Sequence, residues 1–180
     1  MMRVSLQSCH VPGNKGFAGL PDTAFTASSY WNNQSDHAPW HSRLHYAAGG
    51  CLAWASWYNN AGQWIQVDLG EERMTNGIAI QGRHDAGQWV TSFTVSYSND
   101  LNTWTGVQDG QVSRAPPRKR ADHASCSCAQ SGSVGPKTFT GNTNNTDVVT
   151  CRFAKPFKAR YVRVYPTAWH GHMRMRWNLY

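Results

Sequence analysis

Apolar and polar positions alternate with a period of two along much of this chain. In Ser92-Phe93-Thr94-Val95-Ser96-Tyr97-Ser98, Phe93, Val95 and Tyr97 share one face and the hydroxyl residues the other. Tyr161-Val162-Arg163-Val164-Tyr165 repeats the pattern, with Arg163 among aromatics opposite the two valines. Ile78 and Ile80 flank Ala79 in a third strand. Gln63-Trp64-Ile65-Gln66-Val67-Asp68-Leu69-Gly70 is a run of strand formers broken by Gln66 and Asp68 and closed by Gly70. A carboxylate inside such a strand is costly unless paired, so Asp68 requires a basic partner or water. Asn99-Asp100-Leu101-Asn102 reads as a turn leading into Trp104. Long amphipathic helical stretches are absent, and the pattern predicts an all-β protein.

At 180 residues the chain fits one domain with a sizeable core. Aromatics make up 12 %, with 9 Trp, and charged residues only 15 %, which suits a turn-rich β protein with a weakly charged surface. No apolar stretch approaches the ~18 residues of a spanning helix. The N-terminus, Met1 to Gln7, is too short and polar for the apolar core of a signal peptide. The expectation is an excerpt of a secreted protein, an incomplete gene product, or a chain that acts without the usual secretion route.

The formal charge of +7 permits attraction to acidic lipids, sulfated glycans or nucleic acid. The excess is local: Arg114, Arg118, Lys119 and Arg120 in one segment, Arg160, Arg163, Arg174 and Arg176 near the end. Zinc-finger spacing, a basic helix and an RNA-binding sheet signature are all missing, which argues against nucleic acid as a partner. The sequence also lacks a Gly-x-Ser-x-Gly elbow, a His-Glu-x-x-His pair and a phosphate loop, and its 10 acidic residues form no evident acid/base pair. The chain is read as non-enzymatic.

Several segments stand in a characteristic order and spacing: Thr26-Ala27-Ser28-Ser29, Trp40-His41-Ser42-Arg43-Leu44, the run from Gln63 to Gly70, Gly77 to Arg83, Val90 to Ser98, Phe139-Thr140-Gly141-Asn142, and Ala159 to Pro166. Together they resemble the discoidin domain, also called the coagulation factor V/VIII C-type domain, over residues 9–180. The resemblance implies a discoidin-type jelly-roll β-sandwich, of the galactose-binding-domain-like kind, with projecting loops at one end. Residues 1–8 are expected to form a flexible tail. Residues 112–136 turn to Ser, Ala, Pro and basic residues without alternation. They are expected to be a disordered insertion, either a genuine surface loop or retained intron sequence, and both readings stay open.

What the resemblance implies for function is recognition through those loops. The first runs from Tyr30 to Pro39 and begins with two adjacent aromatics, Tyr30 and Trp31. Consecutive strand residues face opposite sides, so one of the two is expected to be exposed. In lipid-binding members of the family such aromatics enter the membrane interface, and an indole equally stacks on a sugar. The second, Gly82 to Trp89, offers Arg83, His84 and Asp85 as donor, titratable ring and acceptor, followed by Trp89. Trp57 and Tyr58 supply further stacking surface, and Trp169, His170 and His172 complete the rim. Arg43, Asp68, Arg160 and Arg176 are expected to be scaffold residues. Members of the family carry Glu where Asn178 stands, so an ionic partner is missing there.

Asn33-Gln34-Ser35 and Asn144-Asn145-Thr146 are glycosylation sequons, and a glycan on Asn33 would oppose membrane insertion. Of the 5 Cys, Cys9 stands where the family's terminal disulfide begins, and its partner would follow Tyr180. A Cys51–Cys151 pairing is also open. Cys126 and Cys128 lack a second ligand pair at zinc spacing. No cofactor is required. Ca²⁺ is held by loops in some family members, with Asp22 and Asp36 in suitable regions but its ligands unknown. The resulting expectation is a non-catalytic, extracellular adhesion module for a cell-surface ligand, an anionic phospholipid or protein receptor, with peripheral membrane contact. The alternative is a lectin-like, galactose-type glycan binder.

Overall fold

The computed structural model describes residues 16–45, 53–108 and 136–180. The tail 1–8, Cys9, Cys51, Cys126, Cys128 and nearly all of the segment 112–136 lie outside the described residues. Eight strands are described: β1 (Phe25–Ala27), β2 (Trp54–Ala55), β3 (Ile65–Gln81), β4 (Trp89–Ser98), β5 (Thr105–Gly106), β6 (Phe139–Thr140), β7 (Val149–His170) and β8 (Arg174–Leu179). All their pairings are antiparallel, in the order β2-β8-β3-β7-β4-β5, with β1 on β3 and β6 on β4.

β3 and β7 are long, and they break register together. The pairing Asp68↔Tyr161 gives way to Arg73↔Ala159, and Thr75↔Phe157 to Gly77↔Arg152. Such irregularities bend a strand. Gly70 lies in the first break at φ +77°, a conformation that disfavours any Cβ. Before the bends β3 pairs with β1 and the later part of β7. Beyond them it pairs with β8 and the start of β7. The sheet thus folds over itself into a jelly-roll sandwich around one apolar cluster that includes Trp54, Ile65, Ile80, Phe93, Phe139 and Trp177. Alternation explains β4 from Phe93 to Val95, and a register break around Ser92 brings Val90 to the same buried side.

β8 breaks the alternation, because all six of its residues are buried. Its polar members have internal partners, as burial demands. Arg176 donates from Nε to the Gly82 carbonyl at 2.8 Å. Asn178 accepts from the Phe17 amide at 2.9 Å. Asn178 therefore ties β8 to the first described turn. The other scaffold arginines lie nearer the surface. Arg43 donates to the carbonyls of Trp40 and Leu20 at 2.7 and 3.0 Å, pairs with Asp22 at 2.7 Å, and covers the Phe25 ring. Arg160 meets Asp68 in a two-point ion pair at 2.8 and 2.9 Å. Arg163 lies between the rings of Trp64 and Trp104, 4.0 Å from each centroid, and donates to Gln66 and Tyr165. Cys151, opposite Ile78, is buried.

Candidate functional site at the loop end of the sandwich

β3 stops at Gln81, β4 starts at Trp89, β7 stops at His170 and β8 starts at Arg174. Antiparallel pairing of these strands brings their connections to one end of the sandwich, where segments 30–38, 56–63 and 142–147 join them. Side chains stitch the connections together. Asn59 accepts from the Met173 amide at 2.8 Å, Asn145 donates to the His84 carbonyl at 3.3 Å, and His170 Nδ1 lies 3.0 Å from the Gly87 carbonyl. Segment 30–38 is built from two 3₁₀ turns, Trp31–Asn33 and Ser35–His37. Asn32 and Asn33 take positive φ at its tip, a conformation that asparagine tolerates better than most residues.

A polar floor lies under this end. Arg174 and His37 are 5 % and 6 % exposed, and Arg174 Nη1 lies 3.1 Å from His37 Nδ1. Arg174 Nε is buried without a hydrogen-bond partner among the described residues. Burial pushes the Arg174 pKa down to about 10, with Arg83 adding repulsion. Burial, followed by the Arg174 charge, also holds His37 and His172 below the ordinary imidazole range. Arg83 pairs with Asp85, with Nη2 to Oδ2 at 2.9 Å, and reaches Gln88 Oε1 at 3.3 Å. The Arg83 hydrogen bond is the main cause of the lowered Asp85 pKa.

Aromatic rings surround that floor. Trp31 is 41 % exposed and meets His172 edge-on at 5.1 Å. Trp89 stacks flat on His170 at 4.1 Å. Tyr58, 57 % exposed, stands 6.1 Å from Trp57, whose amide donates to Ser29 Oγ. Two residues expected on the rim are half-buried and pack partly on the core. Trp169 sits opposite the fully buried Val90 in the β4–β7 ladder, so it shares the inward face and packs on the core. Tyr30 likewise packs on the core while its neighbour Trp31 faces out. His84 is half-buried. Both sequons are near the site: Asn33 is exposed, and Asn144 donates to Asp147 at 2.7 Å.

Sequence reasoning missed His37 and Arg174 as site residues, along with the bracing Asn59. Arg174 registered there only as surplus charge, and nothing local marks it as sitting under a loop. Among the described residues, three or more His, Cys, Asp or Glu side chains nowhere converge as a metal site. Asp22 is engaged by Arg43, and Asp36 Oδ2 lies 3.7 Å from His37 Nε2.

An antiparallel sandwich with polar and aromatic side chains gathered on the loops at one end has the architecture of a ligand-recognition module. The sequence profile of the F5/8 type C domain matches residues 24–179, and the chain belongs to that family. It is 32 % identical to lactadherin of Bos taurus over 97 % of this chain, and spans 38 % of that protein's length. Discoidin II of Dictyostelium discoideum shares the fold, with TM-score 0.64 and 22 % identity over 87 % of this chain and 53 % of its own. The family 32 carbohydrate-binding module of C. perfringens NanJ, solved in complex with galactose, gives TM-score 0.56 and 16 % identity over 88 % of this chain and 95 % of its own.

Proposed function

We propose that this domain is a non-catalytic, extracellular recognition module that binds a cell-surface glycan at the loop end of its sandwich. The carrying observation is the accessible Arg83–Asp85 pair at the loop end, with the buried Arg174 and His37 close behind it and the exposed Trp31 ring at the same end. Sugars are bound by fixed polar groups that read hydroxyls, next to an aromatic face that covers the apolar side of the ring. The loop tips support this over insertion into lipid. Asn32, Asn33, Gln34, Asn60 and Asp85 are polar, and Trp31 leans on His172 rather than projecting alone. The galactose complex of the structurally similar carbohydrate-binding module agrees with this reading.

A second reading, peripheral binding to an anionic membrane, is favoured by the exposure of Trp31 and Tyr58 on a chain of net charge +7. A glycan array run beside sedimentation with phosphatidylserine vesicles separates the two. The glycan reading expects selective array signal, lost in Trp31→Ala, with the protein left in the supernatant when the vesicles are pelleted. Sedimentation with phosphatidylserine and a blank array would overturn it.

A further inference from the structure

We infer that the His37–Arg174 contact is an acid-sensitive latch on the ligand-binding loop, so that the site releases its ligand as pH falls. The inference rests on the proposed binding role of this site for its consequence, but its mechanism starts from the geometry of the contact. A guanidinium donates and never accepts. At 3.1 Å from Arg174 Nη1, His37 Nδ1 must therefore be the unprotonated, accepting nitrogen. The ring proton of neutral His37 then sits on Nε2, on the side of Asp36 Oδ2 at 3.7 Å. A second proton can go only to Nδ1. It abolishes the hydrogen bond and places two cations in contact in a site from which water is largely excluded.

Charged and titratable groups face this pair from several elements, while the strand paired with Arg174, β2, brings only Trp54 and Ala55. Asp36 lies on the same loop, Arg83 and Asp85 on the 82–88 connection, His172 on the turn before β8, and Arg174 on β8 itself. Asp36 favours protonation of His37. Burial, Arg174, Arg83 and His172 oppose it and prevail. His172 carries the other anchor of the same loop, the edge-on contact with Trp31. Protonating His37 thus loosens the base of segment 30–38. The direction follows from the lowered folded-state values. The closed loop is stable above the ordinary histidine pKa of about 6.5 and weakens as pH drops below it.

Two measurements test the latch. In ligand-free protein, nitrogen-15 NMR of the His37 ring should show an Nε2–H tautomer at about pH 7.5. Hydrogen exchange of amides 31–38, corrected for intrinsic rates, should accelerate at about pH 5. In His37→Gln the side-chain oxygen keeps accepting from Arg174 and cannot protonate, so that acceleration should shrink. Where a glycan binds, wild-type affinity should fall about tenfold or more between those pH values, and His37→Gln should lose most of that ratio whatever its absolute affinity. An Nδ1–H tautomer, or exchange of 31–38 indifferent to pH, overturns the latch even if glycan binding is found. Absence of glycan binding with the acid-triggered exchange intact overturns the binding role and leaves the latch standing.

Discussion

Arg160 and Asp68 face each other across the β3–β7 ladder, Nε on Oδ1 at 2.8 Å and Nη2 on Oδ2 at 2.9 Å. Oδ1 also accepts from the Gly70 amide at 2.8 Å, so one carboxylate fixes both the strand pairing and the bend that follows. The Arg160 hydrogen bond holds the Asp68 pKa below the usual carboxylate range. Stability from this pair is therefore complete above the unfolded carboxylate pKa of about 3.9 and is lost as pH falls through it toward the lower folded value. Urea midpoints between about pH 6 and pH 2 should fall less steeply in Asp68→Asn than in wild type. Parallel curves would show that the pair makes no net contribution.

Trp177 joins the polar and apolar parts of the core. Its ring is fully buried, meets Phe17 edge-on at 4.7 Å, and donates from Nε1 to Ser42 Oγ at 3.1 Å. Trp177→Ala should cost about 3–5 kcal/mol in urea unfolding. Trp177→Phe should cost less, about 1–3 kcal/mol, chiefly because Ser42 loses a buried partner.

Arg163 should not tolerate lysine. Its flat guanidinium fills the space between Trp64 and Trp104 while donating to Gln66 and Tyr165. An ammonium keeps the charge and loses both stacks and the fork of hydrogen bonds. Arg163→Lys should destabilise by about 1–2 kcal/mol, read as a lower urea midpoint with an unchanged slope.

The Gly141-Asn142 step of the Phe139-Thr140-Gly141-Asn142 motif admits no side chain at its first position. A Cβ on Gly141 would stand 2.5 Å from the Val90 carbonyl oxygen, whose strand it bonds through the Thr91 carbonyl at 2.7 Å. Gly141→Ala should cost about 1–3 kcal/mol, and exchange protection should drop first at the β4–β6 contact.

How much of this was legible in the sequence differs between fold and site. Alternation marks β4 and the middle of β7 because one face of each meets water. It does not find β8, where Arg174, Arg176 and Asn178 are as buried as Met175 and Trp177. Polar residues in such a strand are made compatible by partners from remote segments, and a local pattern carries no trace of those partners. The loops follow the same division. Adjacent Tyr30 and Trp31 predict that one ring faces out, and Trp31 does. That His37 and Arg174, 137 positions apart, share a floor beneath it depends on where β8 lies, which a local pattern does not state.

The central claim is that the loop end recognises a glycan. Its most direct test is amide NMR of the nitrogen-15-labelled domain titrated with galactose-terminated oligosaccharides and with array hits. The account predicts shifts that saturate and cluster at Trp31, Tyr58, Arg83, Trp89 and His172. Shifts confined to the opposite end of the sandwich, or none with any glycan while phosphatidylserine vesicles broaden the Trp31 and Tyr58 signals, would contradict it.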